Sequence, residues 1–261
     1  MGLPPPRSVI CSSDEEALAA ARELAFPLVV KPARSVTFSA GLIRQHKTQV
    51  VEDANQFEAA VAVVGIPLTL QEYVSKTTIV SCAAVRVDGR LLGLTFARYT
   101  RTYPSPVGSA ALATTIAPPR LLTQQVEELL GLIGWCGIFE LELLELGENR
   151  FGVIDFNPRS FGWMGLAVGV EANLPALWCD HLLGRHSVSP DGAWVGVNYR
   201  WEDADILKAL AHLRRGRLLS AATVLRPYKR VVYAHYRLDD PAPLVARILS
   251  DLPRVKAVLF P

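Results

Sequence analysis

Between Gly134 and Gly162 the chain places Glu140, Glu142, Asp155, Asn157 and Arg159 at spacings that two neighbouring strands can bring to one rim. In an extended strand Phe139, Leu141 and Leu143 point one way, and Glu140, Glu142 and Leu144 the other. A turn at Gly147-Glu148-Asn149 then returns the chain as a second strand, Phe151 to Phe156, which runs into Asp155-Phe156-Asn157-Pro158-Arg159. Carboxylate and amide oxygens together suit a hard cation such as Mg²⁺, and a guanidinium beside them suits a phosphate. Glu145 and Glu148 fall to the turn and to solvent.

Other elements must carry the rest of such a site. A short strand from Phe26 to Pro32 delivers Lys31 at its end, either as a snorkelling surface group or as a phosphate ligand. Before it come a short strand, Ser8 to Cys11, and a helix from Glu15 to Leu24 with a serine cap and acids in its first turn. The polar segment Ala33 to Lys47, with its single glycine Gly41, reads as a flap rather than a glycine-rich phosphate loop. A helix from Glu52 to Val63 precedes the strand Leu68 to Val74. A hairpin of Val80–Val87 and Leu91–Tyr99 is expected around Asp88-Gly89, a strong two-residue turn signal. Arg98 and Arg101 enter a Pro/Ser/Gly loop ending at Ser109, which either grips an anion or is a plain surface connection. Helices are expected at Pro118–Ile133, Pro175–Leu183, Asp203–Arg214 and Pro243–Leu249, and strands at Val195–Trp201 and Val231–Tyr236. Phe161, Trp163 and Met164 either line a pocket or are core.

With 261 residues, half of them hydrophobic, the chain can bury a substantial core. A net charge of +2 gives no nucleic-acid footprint, and the basic run Arg214-Arg215-Gly216-Arg217 reads as a solvated helix end. No apolar run is long enough to span a membrane, and no signal peptide is visible. Cys11, Cys82, Cys136 and Cys179 form no CxxC pair, so buried free thiols and a cytoplasmic setting are expected.

Taken in order, Pro27 to Pro32, Gln71-Glu72-Tyr73-Val74, Gly137 to Glu142 and Asp155 to Arg159 resemble the ATP-grasp superfamily over nearly the whole chain. The sequence is more narrowly similar to a group of bacterial ATP-grasp enzymes of the carboxylate–amine ligase type. It shares with them the loop Arg101 to Pro104, the element Arg200-Trp201 with Asp205, and Asp240-Pro241-Ala242-Pro243. The resemblance implies an α+β fold in which two subdomains grip ATP between antiparallel sheets. Residues 1–74 would form the first subdomain, 75–190 the second, and 191–261 a C-terminal extension packed on the core.

It further implies ATP and Mg²⁺ as cofactors, with Mn²⁺ as a substitute, and joining of a small-molecule carboxylate, amino-acid or peptide-like, to an amine through an acyl phosphate. Lys31 would reach the α/β-phosphates, and Glu72, Tyr73 and Val74, preceded by Gln71, would form the adenine hinge. Glu142, with Glu140 as fallback, Asp155 and Asn157 would hold the metal, and Arg159 the γ-phosphate. Arg98 is assigned to the nucleotide and Arg101 to catalysis. Neither nucleic acid nor membrane is an expected partner. The family's usual N-terminal domain has no counterpart in the sequence, so a homodimer or a partner domain is an expected complement. An inactive nucleotide-binding module and a phosphoryl-transfer enzyme on the same fold remain the alternatives.

Overall fold

The structure, a computed structural model, describes residues 2–39, 42–75, 77–185 and 193–259. The N-terminal part runs β1 (Ser8–Cys11), α1 (Asp14–Leu24), β2 (Leu28–Pro32), β3 (Val36–Ser39), β4 (Leu42–Gln45), β5 (Gln49–Val51), α2 (Ala54–Val64) and β6 (Leu68–Glu72). Its four-stranded antiparallel sheet has the order β1-β6-β2-β5. The helices start where the sequence offers caps: the Ser13 side chain accepts from the Glu16 N–H, and that of Asp53 from the Gln56 N–H. Both helices cover one face of the sheet, packing Ala17, Ala21, Phe57 and Ala60 on Leu28, Val30, Leu68 and Leu70. Strand periodicity then turns Val29 and Lys31 to the opposite face. The expected flap is the β3–β4 hairpin, with Phe38 and Ile43 exposed. Gly41 lies outside the described residues.

The second part contributes β7 (Thr78–Val87), β8 (Arg90–Tyr103), β9 (Ser109–Ile116), α3 (Arg120–Leu132), β10 (Gly137–Gly147) and β11 (Arg150–Asn157). These are followed by α4 (Met164–Gly169), α5 (Leu174–Leu182), β12 (Asn198–Arg200), α6 (Glu202–Arg214), α7 (Leu218–Leu225), β13 (Val231–Tyr233) and α8 (Ala242–Leu259). One seven-stranded sheet, ordered β11-β10-β7-β8-β9-β12-β13, collects every strand from β7 onward. The β7–β8 turn forms at Asp88 and Gly89, both at positive φ, as a two-residue hairpin turn of this kind requires.

One face of this sheet carries Val80, Cys82, Phe96, Phe139, Leu141 and Leu143 and is covered by Leu122, Val126 and Leu130 of α3. The other face carries Val85, Tyr99 and Tyr199 beneath Trp163, Leu166 and Leu174. Helix α5 comes so close to β8 that a Cβ on Gly93 (φ 64°) would lie 2.6 Å from Leu174 Cδ2. Gly93→Ala is therefore expected to destabilise the fold by about 1–3 kcal/mol through strain and overpacking. A urea titration that leaves the unfolding midpoint unchanged would contradict this packing.

Several elements escaped the sequence reading: the strands of the flap, β5, α4, β9 and α7. Strand β9 is built from Ala and Thr, which give little alternating hydrophobic signal, and α7 directly follows the basic run. The cysteines also differ from expectation: Cys11 and Cys82 are buried, but Cys136 and Cys179 are exposed. Among the described residues no helix is long and apolar enough to cross a membrane.

Candidate active site

The free face of the β2–β6 sheet and the α4-side face of the large sheet border a common cleft of about 850 Å³. Lys31, Gln71, Glu72, Tyr73, Val74, Glu142, Asp155, Asn157 and Arg159 all line it, as do Gln45 and Lys47 at the base of the flap. Strands from two separate sheets thus bring together residues up to 128 positions apart, from Lys31 to Arg159.

Lys31 crosses the cleft. Its Nζ donates to the carbonyl of Ile154 at 2.7 Å, immediately before Asp155. Burial draws its pKa below the usual lysine value, opposed by the negative charges of Asp155 and Glu142. In the β10–β11 ladder Glu142 lies directly opposite Asp155, and Glu140 opposite Asn157.

Glu140 is 3 % exposed and fully engaged. It accepts from Ser81 Oγ at 2.9 Å, Tyr99 Oη at 2.9 Å and Asn157 Nδ2 at 3.2 Å, and from the indole N–H of Trp163. Three of these donors converge on Oε1 and one on Oε2, an engagement that suits a structural hub. The Tyr99 hydroxyl is also 2.8 Å from Glu142 Oε1. A phenol has one proton to give, so one of these two carboxylates lacks a donor there unless it is itself protonated. Glu142 is the candidate for that proton. Burial first, then the charges of Glu140 and Asp155, push its pKa up to about 8, against the Tyr99 hydrogen bond and Lys31.

The hub reaches outward through Asn157. Its Nδ2 also donates to Asp155 Oδ2 at 3.3 Å, while its Oδ1 accepts from Arg159 Nη2 at 3.0 Å. Carboxylates at one end and a guanidinium at the other therefore fix the amide's orientation. Arg159 also donates to the Ser160 carbonyl at 2.7 Å.

Two of the expected arginines do not line this cleft. Arg98 points to the α3 side of β8, where it pairs with Glu145 at 2.9 Å beside Val80 and Phe151. Strand parity separates it from Tyr99, which faces the cleft, and the sequence alone did not reveal which face was which. Arg101 is bound to Asp205 of α6, whose other oxygen accepts from Arg200 Nε at 2.7 Å. That triad is nearly buried, so Arg101 ties α6 to the sheet and does not line the cleft.

The hinge is also partly engaged. Gln71 is buried and donates through Nε2 to Ser8 Oγ at 2.9 Å. The Glu72 N–H donates to the Arg7 carbonyl at 2.8 Å, and the Val74 carbonyl accepts from Thr77 Oγ1 at 3.0 Å. These contacts occupy groups that would otherwise be offered to a ligand.

Sequence reasoning missed Ser81 and Tyr99, whose polar atoms meet Glu140. Ser81 sits opposite Glu142 in β7, a register that only the folded ladder reveals. Among the described residues no group of three or more His, Cys, Asp or Glu side chains is spaced to hold a metal ion. Among the donors lining the cleft are the carboxylates of Glu142 and Asp155 and the amide of Asn157.

No protein-family model matches this sequence, and a search of curated proteins finds no match. Solved structures do match. N5-carboxyaminoimidazole ribonucleotide synthetase from Thermus thermophilus is 17% identical over 72% of this chain and 50% of its own, with a TM-score of 0.53. Biotin carboxylase from Campylobacter jejuni, solved as a beta-gamma-ATP complex, is 15% identical over 76% of this chain and 46% of its own, with a TM-score of 0.57. L-amino acid ligase from Bacillus licheniformis is 17% identical over 70% and 44% of the respective chains, with a TM-score of 0.53. These are ATP-grasp enzymes, and the fold of this chain is the ATP-grasp fold. The chain spans about half the length of the structures it matches.

Proposed function

We propose that the cleft is the nucleotide site of an ATP-dependent ligase that activates a carboxylate for attack by an amine. The observation that carries this reading is the meeting of Lys31 with Glu142, Asp155 and Asn157 across two sheets. In the proposed division, residues 1–74 and 75–190 are the two gripping subdomains, and 191–261 is an extension. Its strands β12 and β13 lengthen the second sheet.

A hard divalent cation suits the donor set. Burial, then the charges of Glu140 and Asp155, raise the Glu142 pKa, and the Asn157 amide, whose Oδ1 accepts from Arg159, would turn to add a neutral oxygen. Mg²⁺ is commonly held by one or two carboxylates with nucleotide phosphates completing its shell. When bound, it would neutralise charge on the triphosphate. Lys31 and Arg159 would orient the phosphates. A substrate carboxylate oxygen would attack the γ-phosphorus, forming an acyl phosphate and ADP. The amine would then attack the acyl carbon and displace inorganic phosphate. The closed cleft would exclude water from that intermediate.

Calorimetry tests the reading. Mg²⁺-dependent binding of ATP or ADP is expected, and Lys31→Ala is expected to weaken it by at least about tenfold, or 1.4 kcal/mol. Absence of any Mg²⁺-dependent nucleotide binding would sink the proposal. Release of ADP across a panel of amino acids and amines would distinguish a ligase from the second reading, a nucleotide-binding module without turnover. That second reading is favoured by Arg101, which is engaged in an ion triad instead of the cleft.

A further inference from the structure

Helix α8 is amphipathic in the wrong sense for a helix held by its apolar face. Val245, Ile248, Leu249 and Leu252 are exposed, whereas Asp251 is only 4% exposed. Besides the half-buried Leu244, Val255 and Val258, polar contacts tie α8 to α6: Arg214 Nη1 donates to the Val258 carbonyl at 3.2 Å, and Arg247 reaches Asp203. Arg247 Nε donates to Asp203 Oδ2 at 2.9 Å and lies 3.4 Å from Asp251 Oδ2, and Arg254 Nη1 donates to Asp251 Oδ1 at 2.9 Å. Asp203 is likewise buried, at 4% exposure, with His235 Nε2 3.3 Å away.

Arg247 and Arg254 line the cleft, as do Tyr103 and Trp201, next to the end of β12, and those two rings meet edge to face at 5.9 Å. Each guanidinium is held by one edge only. Among the described residues, Nη1 and Nη2 of Arg247 and Nε and Nη2 of Arg254 have no protein partner. A guanidinium fixed by a buried carboxylate, with N–H groups left over, is a preorganised receptor for a carboxylate or phosphate oxyanion. The sheet order sets this end apart from the acids. Strands β7, β8 and β9 lie between β10 and β12, so β10 and β12 are on the order of 19 Å apart at about 4.8 Å per strand.

We infer that Arg247 and Arg254 form a second anion site in the cleft, which takes a carboxylate or phosphate of the second substrate. As the site of a second substrate it rests on the nucleotide reading above. Asp203 and Asp251 are positioning residues that hold the two guanidinium planes.

Succinate and inorganic phosphate are the probes, titrated by calorimetry with and without saturating Mg·ADP. At least one should bind, and Arg247→Lys and Arg254→Gln should each weaken it at least tenfold. Arg247→Lys keeps the charge beside Asp203, so loss of binding there is not loss of the fold; thermal melts of each variant verify this. Arg237→Gln, at an exposed arginine outside the cleft, should change nothing. If neither probe binds, or if Arg254→Gln and Arg247→Lys bind as the parent does, the anion site is wrong. Failure of Mg·ADP to bind would instead overturn the nucleotide reading, and the nucleotide-free titration still decides the fate of the arginines.

Discussion

In the metal-free protein, Glu142→Gln is expected to raise stability at pH 8 and leave it nearly unchanged at pH 4. The folded chain holds the Glu142 proton up to about 8, whereas an unfolded glutamate loses it near about 4.3. Between those values the folded state binds more protons than the unfolded one, so stability falls as pH rises through the window. The limiting slope is about 1.4 kcal/mol per pH unit. The real one is shallower, because Glu140, Glu142 and Asp155 titrate as a cluster. Glutamine has no proton to lose and removes the decline. Adding Mg·ADP should narrow the gap: at a hundredfold excess over Kd a bound ligand stabilises by about 2.7 kcal/mol, and the variant should forgo most of this. Chemical denaturation at both pH values, with and without Mg·ADP, reads both effects. A variant no more stable than the parent at pH 8 would refute the buried-acid account. One that keeps the full Mg·ADP gain would refute the ligand assignment.

Asp205→Ala should have the largest effect on folding. The carboxylate lies between Arg101 and Arg200, and its side chain is 2% exposed. Burial raises its pKa despite both guanidinium groups, so desolvation outweighs the attraction they supply. Removing the acid leaves two guanidinium groups in a nearly buried setting, and breaking such an arrangement costs about 3–5 kcal/mol. That is a large share of the roughly 5–15 kcal/mol that keeps a domain folded. A loss below about 1 kcal/mol in urea titration would mean that water already reaches the triad. Replacing all three residues with apolar groups of similar volume should be far milder than the single change.

These residues also show where the sequence could be read and where it could not. The alternation from Phe139 to Leu144 told which side chains enter the core, because a strand's period is two whatever it pairs with. Asp88-Gly89 announced its hairpin, because few residues accept positive φ at both turn positions. Lys31 was visible as a charge ending an apolar strand. Arg101 was not readable: its partner Asp205 is 104 residues away, and local pattern carries no information about that distance. Arg200-Trp201 and Asp205 were noticed as a motif, but their reason is the ion pair between Arg200 and Asp205, which only the fold supplies. Arg98 and Tyr99 are chain neighbours assigned to opposite faces, and bulges in the β8–β9 ladder further unsettle any count along that strand. Strand β9, with buried Ala110 to Ala113, lacked the bulky residues that mark a strand.

The seven-stranded sheet has a mechanical consequence. Strands β12 and β13 are hydrogen-bonded into the same ladder system as β10 and β11, so bending one end against the other strains every register between them. The acidic rim and the segment leading into α6 and α8 therefore travel as a stiff plate. The β1-β6-β2-β5 sheet shares no strand with that plate and meets it through contacts such as Lys31 on Ile154. A rotation of the smaller sheet would open the cleft with every register of the plate intact, at the cost of the Lys31 bond to Ile154.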